Sequence, residues 1–110
     1  MKLSIKLTIE NETVFFGPGT YTLLKFIDEK GSLLTAAESM GLSYSKARKM
    51  IKNYKEQTGY DAIITHVGGI GGGRAEVTEH AKDFMEKYDM LLERTDEFVQ
   101  RNFKDLYEEA

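Results

Sequence analysis

Lys46, Arg48, Lys49, Lys52 and Lys55 fall within the stretch from Leu42 to Lys55, which contains no acidic side chain. At about 100° per residue, Ser45, Lys46, Arg48, Lys49, Lys52 and Asn53 share one arc of a helix. Ala47, Met50, Ile51 and Tyr54 recur at i, i+3, i+4, i+7 and form an apolar stripe on the other side. Ammonium and guanidinium groups donate to phosphate oxygens, and lysine, serine and asparagine side chains also reach base edges. The chemistry open to such a face is recognition of a polyanion. A solvated basic surface has the same composition, so the flanking elements must discriminate.

Bond-making chemistry finds little support. His66 and His80 are the only histidines and there is no cysteine, so neither a metal site nor a disulfide framework is expected. Ser43 and Ser45 have no histidine nearby in sequence to activate them, and the carboxylates of the C-terminal third read as a solvated helix face. The run from Val67 to Arg74 holds five glycines. It fails the dinucleotide fingerprint, because Arg74 or Glu76 stands where glycine is required, and it lacks the Gly-Lys-Ser/Thr of a phosphate loop. No enzyme activity and no cofactor are expected.

The elements that position the basic face can be read from their breaks. Ser32 caps a short helix over about Leu33–Met40, whose inward side is expected to be Leu34, Ala36, Ala37 and Met40. Gly41 reverses the chain, Leu42 returns to the core, and Ser43 caps a second helix that runs to about residue 58. Two helices joined through a glycine turn form a helix-turn-helix, with the second helix in the major groove of DNA. Residues 61–77 follow as two strands around the glycine run, a wing beside that helix. Ser43, Tyr44, Ser45, Lys46, Arg48, Lys49, Lys52, Asn53, His66 and Arg74 are the candidate DNA contacts, with Ser45, Lys46 and Lys49 on bases and Arg48, Lys52, His66 and Arg74 on phosphates.

The remaining segments frame this unit. Leu3, Ile5, Leu7 and Ile9 alternate with polar residues, as in a half-buried strand, and residues 13–16 read as its hairpin partner. Gly17-Pro18-Gly19 opens a core helix that ends at Gly31. Thr78 caps a last helix reaching about Glu109, roughly 45 Å at 1.5 Å per residue. Its apolar residues exceed what a small domain covers. Phe84, Tyr88, Leu91, Leu92, Phe98, Val99 and Leu106 are therefore expected at a homodimer interface.

Net charge is −3 over 110 residues, but it is segregated: from Glu79 to Ala110 ten acidic residues face five basic ones. One domain of class α+β, mainly α, is expected: a winged helix-turn-helix over 1–78 with an N-terminal β-hairpin and a glycine-rich wing, then a long dimerisation helix over 79–110. No apolar run approaches a membrane span and no export signal is present, so a cytoplasmic protein without membrane contact is expected.

Gly17-Pro18-Gly19, the stretch Leu23 to Ser32, Ala36-Ala37, Gly41, Ser43-Tyr44, Ala47 and the run Gly68 to Ala81 occur in an order that resembles the N-terminal DNA-binding domain of ModE-type, molybdate-responsive transcriptional regulators. Arg48 stands where that family often has tryptophan, and Val77 and His80 where leucine and glycine are usual. The resemblance implies a winged helix-turn-helix that dimerises through its long helix and binds double-stranded DNA with the helix starting at Ser43 and with the wing. Residues 1–110 leave no room for molybdate-binding domains, so a stand-alone DNA-binding member is expected, its small-molecule effector unknown. A winged-helix protein-interaction module without DNA binding is the competing expectation, motivated by the acidic last helix.

Overall fold

The computed structural model describes residues 1–67 and 73–108. Strands β1 (Ile9–Glu10) and β2 (Val14–Phe16) form an antiparallel hairpin. Helices α1 (Pro18–Lys30), α2 (Leu33–Ser39) and α3 (Tyr44–Thr58) follow. Strands β3 (Ile63–His66) and β4 (Arg74–Val77) pair antiparallel, and α4 (Glu79–Tyr107) closes the chain. The expected α+β, mainly α, winged helix-turn-helix is what the chain adopts.

The helix boundaries have local causes. The hydroxyls of Ser32, Ser43 and Thr78 each accept the backbone N–H three residues on, satisfying a donor that the first helical turn leaves open. Gly31, Gly41 and Gly59 close α1, the α2–α3 turn and α3 at φ between 67° and 80°, where a Cβ would be strained. Pro18 occupies the first turn of α1, where its missing N–H costs nothing.

Leu23, Leu24 and Ile27 of α1, Leu33, Ala36 and Ala37 of α2, and Ala47 and Tyr54 of α3 make the core. Phe15 and Phe16 enter it from β2, Ala75 and Val77 from β4, and Ala81 and Tyr88 from α4. The alanines let α1, α2 and α3 approach closely. Leu34 was expected inward, but it is 52% exposed and Leu33 is buried in its place. With Ser32 as cap, Leu33, Ala36, Ala37 and Met40 form the i, i+3, i+4, i+7 stripe, so Leu34 sits one step outside it.

The N-terminal strand is shorter than its alternation implied. Leu3, Ile5 and Leu7 are half-buried and Ser4, Lys6 and Thr8 exposed, yet ladder pairing covers only Ile9–Glu10. Alternation records burial of one face; pairing needs a neighbouring strand, and the chain turns into α1 at Gly17 instead. The extended segment lies along α4, where Tyr88 donates its hydroxyl to the Leu7 carbonyl at 2.8 Å and Gln100 its amide to the Leu3 carbonyl at 3.0 Å.

Candidate nucleic-acid interface

The exposed side of α3 is built by its opposite side. Ala47 and Tyr54 are buried and Met50 and Ile51 half-buried, which turns Ser45, Lys46, Arg48, Lys49 and Lys52 outward. The first turn of α3 carries no acidic residue, so the positive end of its dipole adds to the cations. Among the described residues, Lys46, Arg48, Lys49 and Arg74 make no ion pair. Lys52 lies 3.9 Å from Glu56 and Lys55 3.0 Å from Asp61. Exposed pairs of this kind contribute at most ~1 kcal/mol, so phosphate can displace them.

Tyr44 is half-exposed in the first turn, and the Arg48 guanidinium lies 5.9 Å from its ring centroid, within cation–π range. That contact holds Arg48 toward the N-terminal end of α3. Ser43 has a structural task at the same end, its hydroxyl accepting the Lys46 N–H at 3.1 Å.

In the wing, His66 and Arg74 stand opposite each other in register, both exposed. Glu76 comes within 3.2 Å of His66 Nε2, a pairing across strands that the linear sequence hides. The glycine tip expected to line a groove or backbone falls largely on residues 68–72, outside the described residues. Between α3 and the wing runs a groove of about 1060 Å³, with Arg48, Lys49, Lys52 and Lys55 on one wall and His66 and Arg74 on the other. The side chains on its two walls are those that can donate to phosphate oxygens.

Asn53 has a different task from the one expected. Its amide donates to the Val14 carbonyl at 2.9 Å and its oxygen faces the Thr13 hydroxyl at 3.5 Å. Gln57, one turn on, accepts the N–H groups of Glu12 and Thr13. The two residues anchor the hairpin to α3, so Asn53 is committed to the fold.

The behaviour of α4 is likewise divided. Phe84 packs its ring on Phe15, Phe16 and Tyr54. Tyr88, expected at a subunit interface, is 2% exposed inside the protomer's own core against Phe16 and Tyr21. Burial pushes its hydroxyl pKa up. Leu92 and Val99 are half-buried on the same side, while Leu91, Phe98 and Leu106 are exposed. A heptad reading cannot separate these two sets, because residues facing the N-terminal segment and residues facing outward are neighbours on the helix.

His80 is structural: its Nδ1 pairs with the buried Tyr54 hydroxyl at 2.7 Å, and its ring stacks on Tyr60 with centroids 4.0 Å apart. No cluster of three or more potential metal ligands occurs among the described residues. No helix among them is long and apolar enough to cross a membrane.

A helix-turn-helix over α2 and α3, followed at once by an antiparallel two-stranded wing, defines the winged-helix class. No family model matches the chain. Curated relatives do. It is 30% identical over 94 residues to the DNA-binding transcriptional dual regulator ModE of Escherichia coli, covering 84% of this chain and 36% of that protein. It is 33% identical over 95 residues to the transcriptional regulator ModE of Haemophilus influenzae, covering 86% and 36%. The ModE of Yersinia pestis gives 30% over 92 residues. The chain thus spans about a third of the length of these relatives, and its similarity to their N-terminal region bears out the resemblance drawn from its motifs.

Proposed function

We propose that this chain is a DNA-binding transcriptional regulator that acts as a homodimer. The observation that carries this reading is the row Lys46, Arg48 and Lys49, free of ion pairs among the described residues, on the outward side of the second helix of a helix-turn-helix. Its similarity to proteins named as transcriptional regulators supports the same reading. α3 enters the major groove, with Ser45, Lys46 and Lys49 on base edges. Arg48, Lys52, His66 and Arg74 line the phosphate backbone beside it. The exposed Leu91, Phe98 and Leu106 of α4 make the subunit contact. Two-fold symmetry then favours a palindromic operator with half-sites about one helical turn apart, or a multiple of it.

The test is fluorescence anisotropy against operator DNA selected from a random duplex pool. The Lys46→Ala/Lys49→Ala variant keeps its fold, since both side chains are exposed, and is expected to bind at least about 30-fold more weakly per half-site, as loss of two base contacts worth about 1–3 kcal/mol each requires. Undiminished operator affinity in that variant sinks the assignment of α3. Absence of duplex binding by the parent protein at low salt moves the reading to a protein-interaction module presenting the acidic α4.

A further inference from the structure

The N-terminal segment leaves one backbone edge open, and its surroundings say what closes it. In an extended chain, successive residues direct their N–H and C=O groups to alternate edges. The edge of Leu3, Ile5 and Leu7 is occupied: Gln100 and Tyr88 take two of its carbonyls. The edge of Ser4, Lys6 and Thr8 is exposed, and among the described residues its N–H and C=O groups make no hydrogen bond. On α4, Gln100 lies on roughly the opposite side from Leu91 and Phe98 at about 100° per residue. The flank of α4 away from Gln100 carries Leu91, 48% exposed, and Phe98, 63% exposed.

We propose that two copies of this chain join through these edges into a two-stranded antiparallel ribbon laid over an antiparallel pair of α4 helices. The inference rests on the dimeric reading above and specifies its geometry. Charge disfavours two registers. A two-fold at Lys6 sets Lys6 against Lys6, and one at Ser4 sets Lys2 against Lys6; like charges directly opposite repel. A two-fold at Ile5 sets Ser4 against Lys6 and Lys2 against Thr8 as hydrogen-bonded pairs, and Leu3 against Leu7 and Ile5 against Ile5 on the face toward the helices.

The helices agree with this register independently. Leu7 meets Tyr88 and Leu3 meets Gln100, so the segment runs antiparallel to α4 with Ile5 above the neighbourhood of Arg94. A two-fold at that point brings Leu91 of one protomer opposite Phe98 of the other. The ribbon and the helix contact thus share one axis, and the open strand edge is paired rather than left as a template for aggregation.

The chain has no cysteine, so single substitutions report the axis directly. Ile5→Cys places two thiols across the two-fold in a non-hydrogen-bonded pair with Cα atoms about 4.5 Å apart, within disulfide reach. Lys6→Cys places them about 9 Å apart by the same strand geometry, beyond it. In glutathione redox buffer, most of the Ile5→Cys chain is expected as covalent dimer on a non-reducing gel and little of the Lys6→Cys chain. Should Ile5→Cys fail to fold, the exposed double variant Ser4→Cys/Lys6→Cys links the same register. Light scattering on the parent protein separates the two levels. A parent dimer in which neither the Ile5→Cys nor the double variant cross-links overturns the ribbon and leaves the helix-mediated dimer standing. A parent that is monomeric at micromolar concentration overturns both.

Discussion

Replacing Tyr54 by phenylalanine removes one oxygen from the centre of the molecule and tests how α3 is tied to α4. Tyr54 is fully buried, and its hydroxyl pairs with His80 Nδ1 at 2.7 Å. Phenylalanine keeps the ring contacts with Phe15, Phe16 and Phe84 and leaves His80 without that partner. A lost hydrogen bond with one partly buried group left behind costs about 1–1.5 kcal/mol near neutral pH. For 110 residues that is a fall in Tm of about 4–6 °C. Burial, with a smaller contribution from Asp83, pushes the Tyr54 pKa from 10.0 up to about 12. Between those values the folded chain holds a proton that the unfolded chain has released, so stability falls as pH rises through this window. By pH 11 ionisation of the unfolded tyrosine removes about 1.4 kcal/mol from the parent. The phenylalanine variant loses nothing by this route. Urea unfolding of both proteins is therefore expected to show a deficit of 1–1.5 kcal/mol at pH 8 that nearly vanishes at pH 11. Titration of the lysines is common to both and cancels in the difference. An equal deficit at the two pH values would show that the Tyr54 proton is not held by burial, and would refute the reasoning.

In the proposed dimeric complex with DNA, Arg74→Ala removes one phosphate contact per protomer, two per dimer. The log–log salt slope of operator binding is expected to become shallower by about 1.8; an unchanged slope places the wing off the backbone. Gly41→Ala puts a Cβ on a residue at φ 67°, with open space around it, so only backbone strain is added. A loss of about 1 kcal/mol is expected in thermal unfolding, with operator affinity at saturating stability unchanged; a stability gain would show that the α2–α3 turn relaxes.

The sequence by itself determined the helix caps, the glycine turns and the basic arc, whose causes lie within three or four residues, though it placed Leu34 rather than Leu33 inward on α2. Ser32, Ser43 and Thr78 are recognisable caps because each hydroxyl accepts the N–H three positions on. Gly31, Gly41 and Gly59 mark the left-handed turns, since side-chain-bearing residues avoid that conformation. The basic arc of α3 follows from helical period, and with it the core of the candidate interface. Tertiary structure alone decided which chemically similar residues serve the fold. Asn53 reaches the Val14 carbonyl 39 residues away, and Gln100 the Leu3 carbonyl 97 residues away. Tyr88 lies in the protomer's own core, whereas Leu91 and Phe98 face outward. Glu76 meets His66 only through the β3–β4 register. A linear pattern records that a side chain prefers burial or a partner. Which surface buries it, and which distant group becomes the partner, is fixed only when the chain closes on itself.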